Sequence, residues 1–517
     1  VKIQGWGALT VAVMLAGACS KKEDAPQADT EGTVETETDT DTDGKLAENH
    51  AQFVHSYGIY SLTPSQEVEP CIQWTLGNEE ALYVNRIDMV NNGGFHHSNW
   101  FVVPEDYAPG PDGYFSCDDR EFSEIEAAAS GTVMFAQSTQ SRVDGVEFPE
   151  GTVVKIPPHH KLVAGAHLLN LSDTDYDTEL RMTLEIVHPS EVDVVLTPFR
   201  LSYLDLEIPA RKESRFSGDC DFSEAYDDRL GLPLDLKLYY VIPHYHYLGN
   251  FFDLTISGGP HDGESVYTLN GFNAGNNGQV FDPPIDLSEA QGFRFTCGYD
   301  NWRDKTVRWG IGDQEMCAML GMADSKMLMD ASVLTGGIVG VDGEIQMSAG
   351  NCRVFGIPKQ ASQAMPTPEE IAAPLYVPPT DPADEGLPPF AECQDTPASA
   401  KPREGATLTN IATSLFVSSC TYSSCHASGT AVAGLDLQGG DLHSELLEHQ
   451  VVANVDMPLV SPGDPENSYL YRLISTCDPT DRDGNVVRHM PLNAGVLSDP
   501  GLVAMVRDWI ASGAPDN

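Results

Sequence analysis

Across residues 50–357, no long stretch repeats its apolar positions with the 3.6-residue period of an amphipathic helix. Short apolar runs at 161–169, 191–196 and 251–256 alternate instead with turns rich in Gly, Pro, Asn and Asp, which is the pattern of strands and their connections. The region is therefore expected to be mainly β, with antiparallel pairing. Roughly three hundred residues exceed what one small sandwich encloses, so two tandem sandwiches are expected, at 51–200 and 201–357, with their boundary near 197–207.

Composition changes on both sides of this region. Residues 20–50 are rich in Asp, Glu and Thr with almost no apolar side chain; such a segment cannot bury enough surface to fold and is expected to be a solvated acidic tether. The apolar stretch before it, 5–18, is too short to span a bilayer, and 1–19 reads as a signal segment. It ends Ala16-Gly17-Ala18-Cys19, which resembles a bacterial lipobox and makes Cys19 the expected lipidated residue. An ordinary cleaved signal with Cys19 incidental is the other reading. Ser20 resembles outer-membrane sorting, so the expected location is the bacterial cell envelope, lipid-anchored at the outer membrane. On the far side, 358–395 carries Pro-Thr-Pro, Pro-Pro-Thr and Leu-Pro-Pro and reads as a semi-rigid linker. Beyond it, 396–517 reads as an α-helical domain, with helical spacing at 408–417 and 502–510. The net charge of −48 comes without the clustered Lys and Arg that phosphate binding needs, so no nucleic-acid partner is expected.

The run 237–248 is rich in aromatic and branched residues and contains His244-Tyr245-His246. Side chains in a strand alternate with period two, so both imidazoles share one face. Downstream, Met316 offers a thioether, a soft neutral ligand suited to Cu(I) and ill suited to zinc, magnesium or calcium. Together these residues point to copper, although any one of them alone is more simply a strand histidine or core filler. A second cluster lies upstream, with His96-His97 followed by His159-His160 and His167. Adjacent strand histidines point to opposite faces, so His96 and His97 share an ion only at a bent edge or through different ring nitrogens. Eleven cysteines are more than a reduced cytosolic enzyme usually keeps. Disulfides are expected, with the pairing left open by spacing alone.

The order His-His, lone His, His-X-His-X-Leu-Gly, Glu-Met-Cys resembles that of the copper type II, ascorbate-dependent monooxygenases, a family that includes dopamine beta-monooxygenase and peptidylglycine alpha-hydroxylating monooxygenase. The resemblance spans residues 50–357. It implies two jelly-roll sandwiches, each holding one copper ion and facing the other across an open cleft. It implies His96, His97 and His167 as ligands of an electron-supplying copper, a third position that His159 and His160 fit less well. His244, His246 and Met316 are the implied catalytic ligands of an oxygen-binding copper. Three disulfides follow from the same resemblance: Cys71–Cys117, Cys220–Cys352 and Cys297–Cys317. The implied activity is hydroxylation of a C–H bond of a small organic substrate with O2, using ascorbate or another one-electron reductant. Peptide-amidating members carry an Arg two residues before His-X-His, where this chain has Ile242, and Asn and Tyr after Glu-Met-Cys, where it has Ala318 and Leu320. A clamp for a peptide carboxylate is thus missing, and a more apolar or aromatic substrate is expected.

In the C-terminal domain, Cys420-Thr-Tyr-Ser-Ser-Cys425-His426 is followed much later by Met490-Pro491. Two thiols for thioether bonds, a proximal imidazole and Met490 as the other axial ligand are what an electron-transferring haem c requires. With the stretch 461–470 and Trp509-Ile510, the domain resembles cytochrome c-like modules of bacterial secreted proteins. Four residues separate the cysteines where the usual motif has two; the other reading is a haemless module with a Cys420–Cys425 disulfide. Cys393 and Cys477 are expected to pair. A haem tethered beside two one-electron copper sites would deliver electrons intramolecularly, with a separate redox protein as a further expected donor. The rival reading of the whole chain is a catalytically silent copper-binding or electron-transfer lipoprotein.

Overall fold

The computed structural model describes residues 49–137, 142–172, 174–246, 248–271, 278–310, 314–359, 363–379, 394–422, 425–428, 430–451, 457–480, 486–487, 489–491 and 499–517. Cys19 with its signal segment, nearly all of the tether, part of the linker and Cys393 lie outside the described residues. The chain is mainly β, and its large sheets pair into sandwiches.

In the first sandwich, one sheet runs in the order His50–Leu62, Tyr176–Val187, Leu82–Asn91, Thr152–Ile156, Val194–Val195. The other runs Gly113–Phe115, Cys71–Thr75, His160–Leu169, Phe95–Pro104, Thr132–Gln137. Phe53, Trp74, Val84, Trp100, Leu162 and Leu184 close the space between them. The second sandwich follows directly. Its first sheet runs Gln279–Asp286, Leu236–His244, Ala318–Ser325, Thr197–Tyr203, Met327–Val333, Arg353–Pro358. This sheet packs on a second one built around Lys212–Asp221 and Gly292–Asn301, through Phe199, Leu201, Phe216 and Phe293. Pairing is mostly antiparallel, with parallel neighbours where Val194–Val195 meets Thr152–Ile156, Thr197–Tyr203 meets Met327–Val333 and Lys212–Asp221 meets Ile345–Asn351.

The disulfides Cys71–Cys117, Cys220–Cys352 and Cys297–Cys317 are all formed. Cys477 is also disulfide-bonded. The proline-rich residues after the second sandwich run back along the first. Lys155 Nζ lies 3.4 Å from Glu370 Oε1, His188 Nε2 lies 2.8 Å from the Ala373 carbonyl, and the Glu79 N–H donates to the Tyr376 hydroxyl at 2.9 Å.

Residues 394–517 add a helical segment with its own core. Leu408–Ile411 widens through a π turn, Ala412–Phe416, into Val417–Ser419, and Leu442–Glu448, Tyr469–Ser475 and Pro500–Ala511 follow. Asp499 caps the last helix by accepting from the Gly501 N–H, and Gly513, at φ 100°, turns the chain out of it. The fully buried Trp509 donates its indole N–H to the Pro515 carbonyl at 2.8 Å. Among the described residues, no helix is long and apolar enough to cross a membrane.

The Cys297–Cys317 bond closes a loop of 20 residues. Replacing both cysteines (Cys297→Ala with Cys317→Ala) is expected to lower stability by about 3 kcal/mol. A urea titration reads this as a lower midpoint with a somewhat steeper slope, because the unfolded chain without the cross-link exposes more surface.

Candidate metal centre

The first cluster is built by a bulge. Phe95–Pro104 runs antiparallel to His160–Leu169 with His97 directly opposite His167, but the next pair is Phe95 with Leu168. His96 is therefore an extra residue on its strand. A bulge bends the strand and re-aims its side chains, which is what two adjacent histidines need in order to converge. Ring centroids lie 5.0 Å apart for His96 and His97, 4.9 Å for His96 and His167, and 5.0 Å for His97 and His167. One nitrogen from each ring falls within 4.8 Å of the others. His159 and His160 sit at the far end of the same strand, where His160 Nδ1 lies 2.7 Å from the Pro158 carbonyl, and neither joins the cluster.

Glu67 sets the chemistry of His167. The short strand Glu67–Val68 pairs with Leu168–Leu169, which brings Glu67 Oε1 to 2.9 Å from His167 Nε2. That bond places the proton on Nε2 and leaves Nδ1 with its lone pair. Nδ1 is buried with no hydrogen-bond partner. A carboxylate behind an imidazole fixes its tautomer and raises its basicity toward a metal. An orphaned nitrogen inside a three-histidine cluster fits a metal ion.

The second cluster is aimed by another bulge. Leu236–His244 shifts register between Leu238 and Tyr240 against both of its neighbours. Before the shift Leu236 and Leu238 face the second core, and after it Val241 and Tyr245 do; Tyr240 and Ile242 turn to the first core. Alternation from Tyr240 and Ile242 carries His244 and His246 to that same face. Their ring centroids are 5.2 Å apart.

Glu315 ties this strand end to the segment that bears Met316. Its carboxylate accepts from the N–H groups of His246 at 2.8 Å, Leu248 at 2.7 Å and Met316 at 3.3 Å. Burial pushes the carboxyl up to about 8, against the pull of those N–H groups and Arg303. His246 Nδ1 lies 2.9 Å from the Gln314 carbonyl, leaving Nε2 as the ligating atom. Met316 is half-buried, its carbonyl accepts from the Tyr299 hydroxyl at 2.6 Å, and Cys317 follows it. Two imidazoles, with a thioether-bearing residue tied through its backbone N–H to the carboxylate that also holds the His246 N–H, suit copper rather than zinc.

The open cleft expected between the two sets is not what the chain forms. The His97 and His244 rings lie 6.3 Å apart, so the sets adjoin. Tyr239, Tyr240, Ile242 and Met322 belong to the first core, and this shared packing closes the gap. His96 and His167 are 3% and 7% exposed, while His97, His244 and His246 are half-buried. Burial, reinforced by neighbouring imidazoles, lowers the pKa of His96 and His97. Burial likewise lowers those of His246 and of His244, the latter to about 3. Neutral imidazoles are the ligating form.

In the helical segment, Cys420 and Cys425 carry thiols, so the alternative disulfide between them is not formed. Burial pushes the Cys420 thiol up to about 12. His426 Nδ1 lies 3.2 Å from the Leu435 carbonyl, and the Val432 backbone bonds to the same side chain, whose pKa burial lowers. Cys420 and Met490 pack against the same helical core. Cys420, Cys425, His426 and Met490 are the residues that would hold a c-type haem.

No family description matches the chain, and no curated protein does. Among solved structures, it is similar to the cowpea mosaic virus top component (10% identity, TM-score 0.24, 57% of this chain and 95% of that one). Sulfolobus turreted icosahedral virus is another (10%, 0.15, 51% and 58%), as is the VP2 subviral particle of infectious bursal disease virus (8%, 0.14, 55% and 74%). Likenesses this slight carry no argument.

Sequence reasoning missed Glu67, a hundred residues from its partner, and no local pattern marks it. It quoted Glu315 as part of a motif without seeing its splinting role. Glu315→Gln keeps one accepting oxygen but turns an amide NH2 toward backbone donors. It is expected to cost about 2–3 kcal/mol and to weaken copper retention at His244/His246, read by metal analysis after dialysis; undiminished retention would sink the assignment.

In the copper-free chain, stability should also depend on pH. An unfolded histidine titrates near ~6.5, whereas folded His244 stays neutral down to about 3. Between these values the unfolded chain binds more protons, so stability falls as pH drops below about 6.5, by up to about 2 kcal/mol at pH 5 from His244 alone. Thermal unfolding at pH 7 and pH 5, with His244→Asn as the comparison, measures that share.

Proposed function

We propose that the chain is a copper-dependent monooxygenase that hydroxylates a C–H bond of a small organic substrate with O2. In this reading the sandwiches are the family's jelly rolls and residues 396–517 are its attached cytochrome c-like donor. The observation that carries it is the presence of two imidazole groups, His96, His97 and His167 in one and His244 and His246 in the other, with the His97 and His244 rings 6.3 Å apart. Bound copper would supply one-electron redox chemistry and O2 activation at the set that includes Met316.

The remaining work falls to the protein. Glu67 holds the His167 proton on Nε2. Glu315 keeps Met316 beside His246. Burial keeps the imidazoles of His96, His97, His244 and His246 neutral, and the half-buried edge at His97, His244 and His246 leaves one side open. Ile242 is packed in the core, so no cationic clamp for a substrate carboxylate stands there, which favours an apolar or aromatic substrate. Lipid anchoring through Cys19 at the outer membrane, ascorbate or a redox protein as the external reductant, and haem attachment at Cys420 and Cys425 belong to the same reading.

The test is metal content and spin coupling. The loaded chain is expected to retain two coppers, and His97→Ala and His246→Ala one each. In the oxidised form, the adjacent sets should broaden each other's EPR signal, and either variant should restore a sharp one. Two coppers with no O2 uptake under any reductant and substrate would leave the silent copper-binding lipoprotein as the reading. No retained copper would end both.

A further inference from the structure

Solvent reaches the histidine-bearing end along a strip of side chains. In Phe95–Pro104 and His160–Leu169, apart from the strand ends Pro104 and His160, the residues that keep accessible surface are His97, Asn99 and Gly165. They lie on one face of their sheet, with His97 opposite His167 and Asn99 opposite Gly165. The second sandwich turns a matching strip toward them. Ile242 pairs with Leu320, Leu320 with Arg200, and His244 with Ala318. His244, Ala318, Leu320 and Arg200 therefore share the face that packs Tyr240, Ile242 and Met322 into the first core. The first three are half-buried and Arg200 is exposed.

A polar group closes this strip at the end away from the histidines. Beyond Asn99 the helix Glu124–Ser130 covers the sheet, with Ala127 packed among Phe101 and Val163. Its first residue, Glu124, accepts from Asn99 Nδ2 through both carboxylate oxygens, at 3.3 and 3.4 Å. Glu124 Oε1 lies 3.2 Å from where a Cβ on Gly165 would sit, so the glycine makes room for the carboxylate over the strand. Glu124 keeps exposed surface, yet desolvation by the protein around it raises its carboxyl pKa. Asn99 and Arg200 oppose the rise, and Glu69 adds to it. Arg200 is itself paired with Asp330. The carboxylate is thus held by two long bonds from one neutral amide, without a salt-bridge partner of its own among the described residues. A ligand group that donates a hydrogen bond would complete it, whereas a carboxylate would meet Glu124 and Glu69 as like charges.

We propose that Glu124 and Asn99 are the substrate's polar anchor, placed on the first sandwich, and that the substrate is an apolar molecule carrying a hydrogen-bond-donating group, an ammonium or a hydroxyl. The inference rests on the monooxygenase reading above. A strand rises about 3.4 Å per residue, so Asn99 stands roughly 7 Å from His97 along the strand. The His97 ring is 6.3 Å from the His244 ring. An aromatic ring on a short chain spans that reach, lying against Ala318 and Leu320 with its donor on Glu124.

The experiment uses the full copper-loaded chain, oxidised and without reductant, so that nothing turns over. Calorimetry compares four matched probes: 3-phenylpropylamine, 3-phenylpropan-1-ol, its methyl ether and 3-phenylpropanoate. The amine and the alcohol are expected to bind about tenfold or more tighter than the ether, which has no donor, and than the acid. Glu124→Ala and Asn99→Ala should each weaken amine and alcohol by about tenfold and leave the ether unchanged. Glu124→Ala should also tighten the acid, a reversal that a merely structural role would not produce. Gly165→Ala, which crowds the carboxylate while keeping it, should reproduce part of the loss. Equal affinity for all four probes overturns the inference. So does binding of none, or amine and alcohol affinities unchanged in both Glu124→Ala and Glu124→Gln. Each of these leaves the monooxygenase reading in place while the chain retains two coppers; a chain that retains no copper ends both.

Discussion

The histidine-bearing end of this protein depends on one strand that is buried on both faces. Leu236–His244 gives Leu236, Leu238 and Val241 to the second core and Tyr240 and Ile242 to the first. Each such side chain is worth about 1.5–3 kcal/mol when fully buried, so the two sandwiches cannot separate at this seam without exposing it. The histidines that follow Ile242 inherit its direction. Their approach to His97 is a by-product of apolar packing rather than of any attraction among imidazoles, which as neutral rings without a metal gain little from one another.

Two bulges convert that packing into a binding geometry. At His96 an inserted residue bends a strand so that neighbours in sequence can face one ion. At Leu238–Tyr240 another resets the alternation so that apolar faces and histidines point where they do. Two carboxylates then hold the results in place by different means. Glu67 acts on a side chain, orienting one imidazole nitrogen. Glu315 acts on backbone N–H groups, splinting two chain segments, and its burial is tolerable because both of its oxygens are bonded. The Cys297–Cys317 disulfide closes the same region from the other side of Met316.

Much of this was legible locally. The lack of helical period gave the β class, and strand alternation was enough to put His244 and His246 on one face. The cysteine pairs came through a family resemblance, because spacing cannot choose among pairings. Other features were not legible. The separation of the two sets was expected to be a cleft, since nothing in residues 237–248 says that Tyr240 and Ile242 pack on another domain. The proline-rich stretch reads as a spacer by composition, yet His188 and Lys155 bind its described part to the first sandwich.

The sequence by itself determined the inventory of histidine, methionine and cysteine side chains, the β character of the first two modules and the helical character of the last, because each depends on residue type and on short periods along the chain. Tertiary structure alone decided that the His96/His97/His167 and His244/His246 sets touch, that Glu67 stands behind His167, and that Tyr422 reaches Asn170. These contacts join residues a hundred or more positions apart. Their partners are chosen by how apolar faces and bulges pack in three dimensions, and no window of sequence contains that choice.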